Sequence, residues 1–221
     1  IRQRGVGSSD ASVIAGVNPF KGAWQLFMEK IGTLMPSAAE TEAQEWGTLL
    51  EEPIARKYEQ VTGYKVRRQP IKFSTTHPFM LASIDRQIVG HPRGPGILEC
   101  KALNAFTRID GLMDLPDYIY IQGQHQLEVY GYDWMAFGIL VGGQHFINPP
   151  LEITRDQATI ELLVTMEQEF IRRVELNDPP PLDGLEGTKD LLKRLYPTDT
   201  GITVTLQEAG AVARALAESK D

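Results

Sequence analysis

The chain has 221 residues and a single cysteine, Cys100. That excludes a disulfide framework, a cysteine zinc site and a cysteine-ligated iron–sulfur cluster within it. No run approaches the roughly 20 apolar residues of a membrane span, and no signal-like segment opens the sequence, so a reducing cytosol is the expected compartment. The four histidines are scattered and make no zinc pattern. No Gly-rich phosphate loop follows a predicted strand, which counts against nucleotide-cofactor folds. Positive charge is also short, with a net charge of −7. A DNA-binding protein draws much of its affinity from Lys and Arg, so this acidity weakens a nucleic-acid reading without excluding it. Charge is segregated: Arg2, Arg4 and Lys21 lie near the start and Lys65, Arg67 and Arg68 cluster in mid-chain, while the C-terminal segment is acidic.

What is present is a pair of acidic positions on neighbouring predicted strands. Ser83-Ile84-Asp85 is followed, fourteen residues after Asp85, by Glu99-Cys100-Lys101. Between them, Gly90-His91-Pro92-Arg93-Gly94-Pro95-Gly96 is a run of turn formers. Alternation along the second strand sets Ile97, Glu99 and Lys101 on one face and Leu98, Cys100 and Ala102 on the other. If the connection folds back, Asp85 and Glu99 converge beside the Lys101 ammonium. Two carboxylates bind a hard cation, and a nearby lysine can orient or deprotonate water, which is the equipment of a metal-dependent phosphodiesterase. The same pattern also occurs as a solvated hairpin face carrying cross-strand ion pairs.

The element order is helices, strands, a helix, strands, then helices. Helices are expected over 8–15, 23–31, 41–62, 117–130 and 155–176, with Gly32 and Gly63 as C-terminal stops. Strands are expected near 64–67, 71–73, 80–89, 97–102, 135–141 and 145–148. This predicts an α/β fold with a central mixed β-sheet flanked by helices. Residues 1–181 read as one domain. Pro179-Pro180-Pro181 then marks a break before a peripheral tail, 182–221, expected to pack on the domain or on a neighbouring subunit.

Helical phase separates two adjacent glutamates. Glu51 shares a side with Ile54, Ala55 and Tyr58, the side expected to face protein, whereas Glu52 shares the outer side with Arg56 and Glu59. An inward carboxylate must be paired or bound to metal. Gln124 shares a stripe with Tyr120, Ile121 and Leu127; its amide either caps a helix end or holds a phosphate oxygen or a water. His125 is expected to be a packed core residue, as are Trp24 and Phe27. The segment from Arg2 through Ser9 opens the first helix, where arginine and backbone N–H groups can meet an anion.

Several segments, taken in order, resemble the YqaJ-like viral recombinase family, relatives of the phage lambda exonuclease. They are Gly7-Ser8-Ser9-Asp10-Ala11, Gly16-Val17-Asn18-Pro19-Phe20, Glu45-Trp46-Gly47-Thr48-Leu49-Leu50-Glu51 and His77 through Asp85. Leu98-Glu99-Cys100-Lys101, Gln122-Gly123-Gln124-His125 and Gly142-Gly143-Gln144 complete the set. The resemblance implies a PD-(D/E)xK, restriction-endonuclease-like core. It implies one or two Mg²⁺ ions, replaceable by Mn²⁺, held by Glu51, Asp85, Glu99 and the Cys100 backbone carbonyl. Lys101 would activate or orient the attacking water. Ser83, Gln124, Ser9 and one of Arg2 or Arg4 would form a 5′-phosphate pocket. Ile84 stands where the family motif has proline.

The implied activity is 5′→3′ digestion of linear double-stranded DNA ends, releasing 5′-mononucleotides and leaving 3′ overhangs. It further implies a phage-type recombination role in a bacterial cytosol, a homotrimeric ring and a single-strand annealing protein as partner. The alternatives are an endonuclease on the same fold and a non-catalytic DNA-binding subunit; intact Asp85, Glu99 and Lys101 argue against the second.

Overall fold

The helices and strands of this computed structural model follow the expected order closely. Residues 5–35, 41–109 and 111–182 are described; Arg2, Arg4, residues 36–40 and the tail from 183 onward lie outside them. Three helices come first, α1 (Ser8–Ile14), α2 (Ala23–Lys30) and α3 (Glu42–Thr62). Thr41 caps α3 through the Gln44 N–H, and Gln44 answers to the Thr41 N–H at 2.8 Å, a reciprocal capping box. Gly63 ends α3 at φ +78°, a left-handed turn that suits a residue without Cβ.

Strands β1 (Lys65–Arg67), β2 (Lys72–Phe73), β3 (Leu81–Ala82), β4 (Arg86–Val89) and β5 (Gly96–Leu103) follow. Next come α4 (Asp117–Tyr130), β6 (Trp134–Val141), β7 (His145–Phe146), β8 (Leu151–Thr154) and α5 (Gln157–Leu176). The main sheet runs β1-β4-β5-β6-β7, with β8 also on β6. Among the described strand pairs only β5–β6 is parallel, with α4 as its crossover. The outer edge of β6 is shared: β8 takes Trp134–Phe137 and β7 takes Leu140 and Val141. Strand β8 was not expected from the sequence, because its four residues sit directly after Pro149-Pro150 and are too few to show a period.

The expected single strand over 80–89 is two. Leu81–Ala82 pairs with Lys72–Phe73 in a separate ribbon, and Arg86–Val89 joins the main sheet. Register explains the interruption. Arg86 lies opposite Leu98, so the next rung would set Asp85 opposite Glu99. Like charges directly opposite oppose pairing, and the ladder stops there.

Each sheet face has its own core. Ile97, Met135, Phe137 and Ile139 pack with Ile119, Leu127 and Val129 of α4, while Leu98 and Ala136 pack with Ala55 and Tyr58 of α3. Helices α1 and α5 pack behind α4. The alternation expected for β5 is therefore observed, as is the inward side of α3: Ile54, Ala55 and Tyr58 are all buried. Trp24, Phe27 and His125 are buried too, as expected.

Candidate active site

Asp85 leaves the sheet just before β4 begins, and its Oδ2 accepts the backbone N–H of Cys100 at 2.7 Å. That bond replaces the missing rung and ties the carboxylate to the strand that carries Glu99. Glu99 is 4% exposed and receives three donors. Lys101 Nζ lies 2.8 Å from its Oε1, Gln122 Nε2 donates to the same oxygen at 2.9 Å, and Gln126 Nε2 donates to Oε2 at 2.9 Å. Gln122 and Gln126 are one helical turn apart on α4, so both amides reach down onto β5. Gly123 permits the approach: a Cβ there would stand 2.5 Å from Met135 Sδ.

Burial, and then the neighbouring Glu99, push the Asp85 carboxyl up to about 8, against the opposing effect of the Cys100 N–H; Glu51 adds to the rise. Burial works against the Lys101 ammonium, but Glu99 beside it outweighs burial and the net shift is upward. Lys101 is thus a proton-bearing donor at neutral pH. The Cys100 thiol is also pushed up, first by burial and then by Asp85 and Glu99, so it is inert.

Glu51 approaches the same spot from α3. Its Oε2 lies 3.7 Å from Arg86 Nη1, and Arg86, whose side chain is 4% exposed, also donates to the Asp85 carbonyl at 2.6 Å. Glu52, expected on the solvated side, is half exposed but also accepts from Arg86 Nη2 at 2.8 Å. Arg86 was not singled out from the sequence, since a strand-end arginine carries no pattern of its own.

Asp85, Glu99 and Gln122 face a cleft of about 470 Å³ that is also lined by Ser8, Ser9, Lys21, Lys30 and Ser83, among others. Ser9 and Ser83, from separate segments, are brought together there. Lys30 is held by the Gly5 carbonyl at 2.6 Å and Asp10 at 2.7 Å, and Lys21 pairs with Glu29.

Gln124 is not brought to the cleft. It is fully buried; its Nε2 donates to the Thr154 carbonyl at 2.9 Å and its Oε1 accepts the Asp156 N–H at 2.8 Å. The two ends of the amide tie α4 to the end of β8 and to the N-cap residue of α5, the helix-end role expected as the alternative to a phosphate contact. Gln122, two residues earlier, lines the cleft instead. A shift of two residues rotates a helical side chain by about 200°, which is why neighbours so close serve different purposes. Arg2 and Arg4 lie outside the described residues.

Asp85, Glu99 and Glu51 are the side chains that would hold a hard cation. Among the described residues no three His, Cys, Asp or Glu side chains close into a complete ligand group. Magnesium does not require one, since it keeps several waters and is commonly held by one or two carboxylates together with substrate phosphates. The upward shift of Asp85 by burial and Glu99 fits such a cation, because carboxylates crowded enough to retain a proton will exchange it for a metal.

A family model of the YqaJ-like viral recombinase domain matches residues 1–133. The chain is 36% identical over 202 residues to the uncharacterized protein YqaJ of Bacillus subtilis (strain 168), covering 88% of this chain and 61% of that protein's length. Among solved structures it is similar to an alkaline exonuclease, LHK-Exo, from Laribacter hongkongensis, at 24% identity and a TM-score of 0.64 over 88% of this chain and 96% of that one. The same enzyme in complex with dAMP gives a TM-score of 0.65 at 22% identity, covering 89% and 95% of the two chains. A phage-related exonuclease from Haemophilus somnus 129PT gives 0.58 at 12% identity, covering 78% and 96%. The fold is therefore that of the alkaline exonucleases, and the chain belongs to the YqaJ-like viral recombinase family.

Proposed function

We propose that this protein is a divalent-metal-dependent 5′→3′ exonuclease on linear double-stranded DNA that releases 5′-mononucleotides and leaves 3′ overhangs. The observation that carries this reading is that Asp85 and Glu99, the latter bonded to Lys101, line the same cleft as Ser9, Ser83 and Gln122. Carboxylates suited to a cation and hydrogen-bond donors suited to a terminal phosphate share one recess. The likeness to LHK-Exo, solved with dAMP, supports a nucleotide-sized occupant.

Each side chain then has a task. Asp85, Glu99, Glu51 and the Cys100 carbonyl would hold the cation, Mg²⁺ or Mn²⁺. The cation would neutralise the carboxylates and stabilise charge on the attacking and leaving oxygens of the phosphodiester. Lys101, protonated through Glu99, donates a hydrogen bond that orients the attacking water. Gln122 and Gln126 fix the Glu99 rotamer. Ser9, Ser83 and the outward edge of the Gln122 amide donate to terminal phosphate oxygens, and the arginine assigned beside them is Arg2 or Arg4. The resected 3′ strand is the substrate a single-strand annealing partner needs, and a homotrimeric ring in a bacterial cytosol completes the reading. No described helix is long and apolar enough to cross a membrane.

The test is time-resolved digestion of end-labelled linear duplex bearing 5′-phosphate or 5′-hydroxyl ends, with and without Mg²⁺, beside a covalently closed circle. Mononucleotides released from 5′-phosphorylated ends only when the metal is present are expected. Cleavage of the closed circle, or equal rates on both kinds of end, would overturn it in favour of an endonuclease.

A further inference from the structure

A smaller pocket of about 280 Å³ lies on the α3 side of the sheet and is connected to the carboxylates through Arg86. Its walls include Arg56, Arg67, Arg68 and Arg86, with only Glu52 and Glu59 against them. Glu59 is already engaged by the Val66 N–H at 2.9 Å and by Lys65 at 3.2 Å. Glu52 therefore faces Arg56, Arg86 and Arg68, at 3.0, 2.8 and 3.8 Å, and shares Arg86 with Glu51 at 3.7 Å. Two carboxylates oppose three guanidinium groups, with Arg67 beside them, a local surplus of positive charge in a chain whose net charge is −7. Arg56 and Arg68 are 74% and 73% exposed, so most of their surface faces solvent. Arg86 joins the two recesses, since one guanidinium reaches both the Asp85 carbonyl and Glu52.

We infer that this arginine pocket binds a backbone phosphate of the DNA strand being cut, next along the strand from the phosphate at Asp85 and Glu99. The inference rests on the nuclease reading above and adds where the strand goes when it leaves the carboxylates. Planar guanidinium forks suit phosphate oxygens, and a positive surplus beside a carboxylate site serves an anion that must pass it. Glu52 lines the pocket and pairs with Arg86 Nη2 at 2.8 Å, while Glu51 lies 3.7 Å from Nη1. An arriving phosphate takes over Arg56 and Arg68.

The experiment compares wild type with the double variant Arg56→Ala/Arg68→Ala. Both side chains are exposed and neither belongs to the catalytic group, so the fold is expected to survive, which thermal melting checks. Duplex affinity is measured from low to moderate salt with the catalytic metal replaced by Ca²⁺, and turnover is measured on long duplex and on a 5′-phosphorylated dinucleotide too short to reach the pocket. The double variant should bind duplex roughly fivefold to tenfold more weakly, with a log–log salt slope flatter by about one to two. Its turnover of the dinucleotide should match wild type. Unchanged duplex affinity and salt slope would overturn the pocket assignment, even where wild type digests DNA normally. An equal loss on the dinucleotide would overturn it as well, because the arginines would then be acting on the catalytic group. Wild type that neither binds nor cuts duplex would overturn the nuclease reading itself. Should the double variant melt early, the singles Arg56→Gln and Arg68→Gln carry the same comparison, each with a slope change of about one.

Discussion

The Asp85 carboxylate is hydrogen-bonded to the backbone N–H of Cys100 at 2.7 Å, where a regular antiparallel ladder would have continued. One oxygen is spent on fixing the carboxylate to β5, and burial beside Glu99 makes its charge costly. The crowding of two acidic groups at the point where the strand is interrupted is what a bound cation would relieve.

The raised Asp85 carboxyl implies a pH dependence. Its folded pKa, about 8, lies above its ordinary 3.8, so between these values the folded protein holds a proton that the unfolded chain has lost. This contribution is fully present below 3.8 and is lost as pH rises through about 8. In EDTA, the melting temperature should fall across that window, and Asp85→Asn should flatten the fall. Added Mg²⁺ should bind more tightly with rising pH and release a proton, measurable by calorimetry in buffers of different ionisation enthalpy. A metal affinity that does not change with pH would contradict this account.

Gln122 and Gln124 should separate cleanly under substitution. Gln124→Ala leaves the Thr154 carbonyl and the Asp156 N–H without their partner and should cost about 1–3 kcal/mol of stability, while folded enzyme keeps its turnover. Gln122→Ala should do the reverse, lowering turnover with little change in melting. Denaturant titration beside steady-state kinetics distinguishes them, and the opposite pattern would restore Gln124 to the cleft.

Lys101→Ala should reduce turnover by about 100-fold or more while duplex binding persists. Lys101→Arg keeps the charge but cannot reproduce the compact ammonium contact with Glu99, so it should rescue only partly. Gel-shift and single-turnover assays read the two effects separately; full activity in the alanine variant would remove Lys101 from the chemistry.

His125 is fully buried with two acceptors around it, Glu167 Oε1 at 2.8 Å from Nδ1 and the Leu81 carbonyl at 3.0 Å from Nε2. The Leu81 carbonyl requires Nε2 to carry a hydrogen, so Nδ1 and Glu167 share one proton between them. Glu167→Ala should cost about 3–5 kcal/mol, because it leaves the ring nitrogen buried without its partner. The double variant His125→Leu/Glu167→Leu should lose less than the two single costs combined, and a double-mutant cycle measures the difference. Additive costs would show that the two side chains do not act as a pair.

The helix positions were legible because they depend on short-range signals. Thr41 with Gln44, Gly63 after Thr62, and the apolar period through α4 and α5 are all contained within a few residues. The faces of β5 and the inward side of α3 follow from periods of 2 and 3.6, so Glu99, Lys101 and Glu51 were placed from the chain itself. Carrying the family pattern onto Ser9 and Ser83 selected residues that do line the cleft.

What the chain by itself determined, then, is which side chains share a face and where the long helices start and stop, because local backbone geometry decides both. Only the tertiary structure decided that Asp85 ends its strand, that Gln122 and Gln126 rather than Gln124 reach Glu99, and that Arg86 joins two recesses. Those outcomes depend on strand register and on how closely α4 sits on the sheet at Gly123. Register and interlayer distance are set by contacts between residues far apart in sequence, and no local period encodes them.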